Sequence, residues 1–523
     1  MLAARLRVGL GGQGVAVSGR GWGRVAFSAV GVAVGLTVLI GGLGASAMVP
    51  RLAGAGWEPP YSLDVRPSAY LVISMAALAI LAGTGGLAAG LVAVRRGWDA
   101  RGLSAFGALS AVVLGFLPPS GSSDHLSYAA YGRIAVLGLD PYAVPPEGVP
   151  GDPVTADVEE WRGTTSVYGP VATAVQALAS LVGGDSVRLT VFGLSVANVA
   201  AFLGTGWLLR RLWADPERRR RVALLWTANP LLLYHLVAGA HVDVLALVFV
   251  VAAVVTFGRL PVVSGALVGL GMAVKLPVGL VSLGIAWALR RDVRRLLAVA
   301  GSALVVLVAA YALVGGHALD QVRRASEFVS LAVPWQLVDG RRHGFGLPRD
   351  VIRFAWVAVA VLLAWLLLRA LPRAYPAGAR PAGAPPYGEG APPDTGEDAR
   401  SAAARVGLAV VSAWLLAAPY SLPWYDGLGF ALLAMVPASG FDGFAVARTG
   451  LLSLAYLPAR EAGRPPELDW LVTVVRSQVV PWALTALLAG LVWWALARRP
   501  RSPSGPAGPP PSAPSRGSRS PSR

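Results

Sequence analysis

Hydrophobic and polar positions along this chain fall into long blocks. Apolar runs recur from residue 25 to residue 497, and short clusters rich in arginine separate them. A helix that crosses a bilayer needs about 20 predominantly apolar residues. Segments near 25–49, 68–94, 102–119, 187–209, 296–315 and 351–371 fit single crossings, and spans near 405–420, 426–439, 443–458 and 470–497 follow. Segments 222–240 and 242–258 read as a hairpin whose tip holds His241 and Asp243. The run 260–289 is too long for one straight span and ends in arginines, so it goes out and back with Lys275 and Pro277 at its outer turn. Its halves are short for a full crossing, which predicts half-helices buried among other helices. The pattern predicts an all-α polytopic membrane protein with about 12–14 transmembrane helices.

Charge orients these helices, because cytoplasmic loops carry an excess of Lys and Arg. Residues 1–24 hold Arg5, Arg7, Arg20 and Arg24 and no acidic residue, so they are assigned to the cytoplasm. Alternation then places Arg95, Arg96 and Arg101 inside and the polar stretch 120–186 outside. The cluster Arg210, Arg211 and Arg218 to Arg221 returns to the inside, in independent agreement. Both termini are cytoplasmic by this count. The outer loop 316–350 breaks the trend with Arg323, Arg324, Arg341, Arg342 and Arg349. Guanidinium forks suit a phosphate or an anionic head group, and an ordinary solvated loop is the alternative.

Composition agrees with lipid as solvent. The 523 residues are 55% hydrophobic and 14% charged, against about 25% charged in soluble domains; the mean hydropathy is +0.59. The net charge of +17 resides in the inter-helix clusters and does not indicate nucleic acid. With no cysteine, disulfides and thiol chemistry are excluded. The first apolar run lacks an obvious small-residue cleavage site and is taken as a retained helix. Five regions result: a basic N-terminus (1–24), a main membrane region (25–371), a Pro-, Ala- and Gly-rich cytoplasmic linker expected to be disordered (372–404), C-terminal helices (405–497), and a Pro, Ser and Arg tail (498–523).

The first large outer loop carries the candidate chemistry. If a helix starts at Asp124, then Ser127, Tyr128 and Tyr131 share one face with its carboxylate. A carboxylate among hydroxyls suits a general base acting on a sugar alcohol, whereas a helix cap is the plain alternative. Lys275 is the single lysine, set in an apolar stretch where an ionisable residue is costly, which marks it as a cation for a leaving phosphate or as a snorkelling side chain. His241 and Asp243 can share a cavity or form a buried polar pair. Trp424 and Tyr425 can stack on a sugar or prenyl chain, or serve as belt aromatics. The histidines show no metal-ligand spacing.

The stretch Ser127 to Arg133, then Gly138-Leu139-Asp140-Pro141-Tyr142, Trp161 and Tyr168-Gly169-Pro170, resembles the actinobacterial polyprenol-phosphomannose-dependent α-1,6-mannosyltransferases, which are GT-C enzymes of lipoglycan assembly. Asn229-Pro230, His241, Asp243, Lys275 and Pro423-Trp424-Tyr425 extend the likeness over roughly residues 100 to 430. The resemblance implies a GT-C architecture with its site in extracytoplasmic loops, a catalytic aspartate matched by Asp124, and inverting transfer from a polyprenyl phosphate sugar to a glycan or lipoglycan acceptor. Candidate substrate-binding residues are Tyr128, Tyr131, Arg133, Asp140, Tyr142, Tyr168, His241, Asp243, Lys275, Trp424 and Tyr425, with Arg323 and Arg324 from the basic loop. No cofactor and no divalent metal are expected. Another polyprenyl phosphate sugar as donor, or a transporter or lipid flippase, are the alternative readings.

Overall fold

A computed structural model of the protein describes residues 19–340, 346–373 and 398–498. It is all-helical, without strands among the described residues. Among the described residues, fifteen α-helices of eight residues or more form its frame. The first six are α1 (Gly19–Leu43), α2 (Ala69–Arg95), α3 (Leu103–Gly115), α4 (Asp124–Val136), α5 (Pro170–Gly183) and α6 (Val187–Arg211). Then come α7 (Asp243–Thr256), α8 (Pro261–Val274), α9 (Val281–Leu289) and α10 (Val293–Ala312). The last five are α11 (Arg349–Ala370), α12 (Ala399–Ala417), α13 (Asp426–Leu433), α14 (Phe441–Ala455) and α15 (Val480–Ala497). Among the described residues, seven helices are long and apolar enough to cross a membrane, and five shorter apolar ones accompany them. This is a polytopic membrane protein.

The run expected to turn at Lys275 does so. Gly265 and Gly269 of α8 pack on Val299 and Ser302, then on Ala303 and Val306 of α10, so the two helices run parallel and α9, which joins them in the chain, must run back. Lys275 adopts an extended conformation at the end of α8, and Pro277, which lacks an N–H, continues into a 3-10 turn over Leu276–Leu280. The halves are 14 and 9 residues long, and α9 packs on α12 through Gly284 against Ala403.

Several boundaries differ from the sequence reading. Residues 222–240 are not one crossing. A π-helical stretch, Ala223–Thr227, stops at Asn229-Pro230, where Asn229 caps the next turn by accepting from Leu231 and Leu232 N–H and donating to Leu225 C=O. The stretch 120–186, read as a polar loop, contains the apolar helix α5, which packs on α4 and α6. Arg20 and Arg24 lie on α1, and residues 399–404 belong to α12 rather than the linker, because Asp398 caps that helix at Ser401 N–H. The other linker residues 374–397, the first eighteen residues, the tail from 499, and Arg341 and Arg342 lie outside the described residues.

Between helices in lipid, close backbone approach replaces the hydrophobic drive. Gly132 on α4 sits against Gln176 C=O of α5, where a Cβ would come within 2.2 Å of the oxygen. Gly169 meets Ala273 C=O at the same distance and donates its N–H to Val274 C=O, which fixes Tyr168 beside the end of α8. At the opposite end, Arg221 makes two hydrogen bonds to Asp442 of α14, at 2.7 and 2.8 Å, and Arg95 of α2 adds a third at 3.1 Å. The two halves of the chain are thereby joined through a buried ionic knot.

Candidate active site

At the start of α4, the Asp124 N–H donates to Ser122 Oγ at 3.1 Å, so the helix entry does not consume the Asp124 carboxylate. Its side chain is 19% exposed and lines a cavity of about 910 Å³. One turn on, the Tyr128 hydroxyl lies 3.3 Å from His241 Nδ1 and accepts from the Tyr168 hydroxyl at 3.2 Å; Tyr131 donates to Thr164 C=O at 2.9 Å. The helical period thus places Asp124, Ser127, Tyr128 and Tyr131 on one cavity wall.

His241 is buried, with Nδ1 3.6 Å from Asp124 Oδ2 and its ring stacked on Trp424 at 3.7 Å. Asp243, at the start of α7, accepts from Lys275 Nζ at 2.5 Å, and the ammonium sits 4.0 Å over the Tyr425 ring and 5.8 Å from that of Tyr168. The cavity therefore draws Asp124, Tyr128, Tyr131, Tyr168, Lys275, Trp424 and Tyr425 together, while His241 and Asp243 support its wall. Burial pushes the Asp124 carboxyl up to about 7, and the Glu160 carboxylate adds to the rise against Ser122 and Lys275. A carboxyl near that value can exchange protons at neutral pH. Among the described residues, no three His, Asp or Glu side chains converge as a metal ligand set.

Five residues named from sequence lie elsewhere. Arg133, on the last turn of α4, is paired with Asp152 at 2.6 Å and Asp185 at 2.5 Å, tying the loop to the start of α6. Asp140 accepts from Tyr142 N–H at 2.9 Å, and the Tyr142 hydroxyl meets Thr173 Oγ1 at 2.8 Å, so both brace the same loop. Arg323 and Arg324 are exposed, and Arg323 pairs with Asp320; their neighbours Gln321, Val322, Ala325 and Ser326 line the cavity instead.

Other lining residues were not singled out from sequence. Glu160 has no spacing relation to Asp124; it accepts from Glu461 N–H at 2.5 Å, and burial raises its carboxyl too. Tyr420, Tyr456 and Arg353 also line the cavity. Arg476 does as well, and the rule that marks Lys275, an ionisable side chain inside an apolar run, would have found it.

A sequence model of the alpha-(1->6)-mannopyranosyltransferase N-terminal domain matches residues 28–291, a little over half of the chain. The chain belongs to that family. Alpha-(1->6)-mannopyranosyltransferase A of Corynebacterium glutamicum is 30% identical over 131 residues, 25% of this chain and 27% of that one. Its Mycobacterium tuberculosis counterpart, also named A, is 29% identical over 217 residues, 38% of this chain and 41% of that one. Alpha-(1->6)-mannopyranosyltransferase B of C. glutamicum is 32% identical over 152 residues, 28% and 24% respectively. The matched stretches thus span well under half of these relatives' lengths. No solved structure matches the chain significantly. Within the family match lie Asp124, Tyr128, Tyr168, His241 and Lys275, whereas Trp424, Tyr425, Tyr456 and Arg476 come from beyond it.

Proposed function

We propose that the protein is a membrane mannosyltransferase that moves a mannosyl residue from polyprenyl phosphate mannose to a glycan or lipoglycan acceptor outside the cytoplasm, in α-1,6 linkage and with inversion. The observation that carries this reading is a carboxylate, Asp124, poised near neutrality in a large aromatic cavity of a polytopic membrane protein of this family. An acceptor hydroxyl beside Asp124 gives its proton to the carboxylate as its oxygen bonds to the anomeric carbon. The bond from that carbon to the phosphate oxygen breaks on the opposite face, and its electron pair leaves with polyprenyl phosphate. His241 orients the carboxylate through Nδ1, and tyrosines 128, 131 and 168 supply hydroxyls for the sugars. Lys275, its charge balanced by Asp243, packs over the Tyr425 ring on the wall beside the reacting groups.

The arginine clusters at 210–221 and 290–295 support placing the cavity outside, since each closes a helix that runs away from it. Purified protein supplied with radiolabelled polyprenyl phosphate mannose and a mannoside acceptor should yield a longer mannoside and release polyprenyl phosphate. Transfer from a nucleotide sugar alone, or none from the lipid-linked donor, would sink the reading.

A further inference from the structure

Among the described residues, four cationic side chains line the cavity, and three of them face a carboxylate. Lys275 meets Asp243 at 2.5 Å, Arg349 meets Asp339 at 2.9 Å, and Arg353 lies 3.9 Å from Glu327. Arg476 has no ion-pair partner among the described residues, although it is only 8% exposed. Its Nε donates to Ala455 C=O at 2.8 Å, one terminal nitrogen donates to Pro458 C=O at 2.7 Å, and the guanidinium lies 4.7 Å over the Tyr456 ring. The second terminal nitrogen makes no hydrogen bond among the described residues. The nearby Glu160 and Glu461 carboxylates form no ion pair with it, and the neighbouring Arg464 is taken up by Asp469 at 3.0 Å.

Burying a guanidinium without an anion costs free energy that a well-placed anion recovers. The backbone gives a second sign. Arg476 stands in a nine-residue π-helix, Leu471–Val479, and π-helical turns are rare and frequently mark functional sites. The two carbonyl contacts fix the guanidinium plane and leave one corner for a ligand. A wall of rings, Tyr425 at 6.3 Å from Trp424 and Trp424 at 6.2 Å from Tyr456, runs from Lys275 to Arg476, and His241 stacks on its middle member. Lys275, Arg349 and Arg353 each have a carboxylate partner, so the lining cation without an ion-pair partner among the described residues stands at the far end of this wall.

We propose that Arg476 is the anion-binding residue of the cavity and that it takes a phosphate ester of the substrate; this rests on the reading of the site as one that uses a polyprenyl phosphate donor. The role belongs to the C-terminal half of the chain, outside the family match.

The test compares polyprenyl phosphate with the uncharged polyprenol of equal length, with binding read from the fluorescence of the cavity tryptophans 161, 356, 414 and 424 in the full-length protein in nanodiscs. A hydrogen bond to a charged group supports a preference of about tenfold or more for the phosphate in the wild type. Arg476→Gln should reduce it to roughly twofold, and Lys275→Ala should leave most of it. Arg476→Lys keeps the charge and should retain part of the preference even if the Gln variant does not fold; a Lys variant with none counts against the proposal. Full preference in Arg476→Gln overturns it. If the wild type ignores the lipid phosphate but inorganic phosphate raises its thermal midpoint, and not that of Arg476→Gln, the anion site stands and the lipid-donor reading fails. A wild type that responds to neither phosphate overturns the site itself.

Discussion

His241 Nδ1 lies 3.6 Å from Asp124 Oδ2 and 3.3 Å from the Tyr128 hydroxyl, while the other face of the site stacks this imidazole on Trp424. The ring is therefore held between an element of the first half of the chain and one of the second. The ring stands behind the cavity lining, and we propose that it supports the carboxylate.

Replacing His241 tests that role. His241→Ala should lower kcat by about 10- to 100-fold through misplacement of the carboxylate, with the acceptor KM little changed. His241→Asn, which returns a polar atom close to the Nδ1 position, should recover part of the loss. Steady-state kinetics of both variants decide it: equal kcat in Ala and Asn would reduce His241 to a packing residue.

Asp124→Asn keeps the shape of the side chain and removes the base, so transfer should fall by about 10² to 10⁴ with acceptor affinity preserved. A variant with near-wild-type turnover sinks the assignment, and Glu160, which shares the cavity, becomes the next carboxylate to replace.

The same carboxyl predicts pH behaviour. Its value rises from 3.8 to about 7 on folding, so the ionised base accumulates, and the rate should climb, as pH increases through about 7. For stability the sign is opposite. A raised folded-state value favours the folded protein below pH 3.8, and the benefit fades as pH rises through about 7. Asp124→Asn should therefore match or exceed the wild-type melting temperature at pH 8 and gain less at pH 5. Thermal melts across that range check it, and a variant that is less stable at pH 8 than at pH 5 relative to wild type contradicts it.

Asp442→Ala leaves the buried Arg221 guanidinium without its carboxylate and also releases Arg95. Breaking a buried pair in this way costs about 3–5 kcal/mol. Denaturation in detergent should show a loss of that order, with the cavity residues untouched. A loss below about 1 kcal/mol would mean that water or lipid replaces the pair.

Sidedness can be read with single cysteines, since the chain has none of its own. Ala143 in the α4–α5 connection and Ala214 after α6 are both exposed and lie beyond opposite ends of α6. On intact cells an impermeant thiol reagent should label Ala143→Cys and spare Ala214→Cys. The reverse pattern would put Asp124 on the cytoplasmic face.

Much of the architecture was legible along the chain because solvation by lipid is a one-dimensional constraint. Each crossing must be apolar over its length and satisfy its own backbone, so α1, α2, α6, α10 and α11 could be read as runs. The turn at Lys275 followed from arginine parity, and the shared face of Asp124, Tyr128 and Tyr131 followed from the 3.6-residue period of a helix that starts at Asp124. Local rules failed where a buried partner decides the backbone. At Asn229 one side chain caps one segment and braces another, and in α5 an apolar helix shorter than a membrane crossing packs one face on α4 and α6.

The site divides in the same way. The sequence by itself determined which residues carry chemistry that lipid would not tolerate without purpose, such as Lys275 in its apolar run. Only the tertiary structure decided which of them meet. Arg133 and Asp140 stand in the same motif as Tyr128 yet end in loop contacts, because the reverse turns and caps of residues 137–186 bring Asp152 and Asp185 to Arg133. Asp124 is joined instead by His241, Trp424 and Arg476, whose distance along the chain hides any spacing signal. Their convergence depends on helix packing at glycine contacts and on the Arg221–Asp442 pair, interactions whose energies depend on position in space and not on order in the chain.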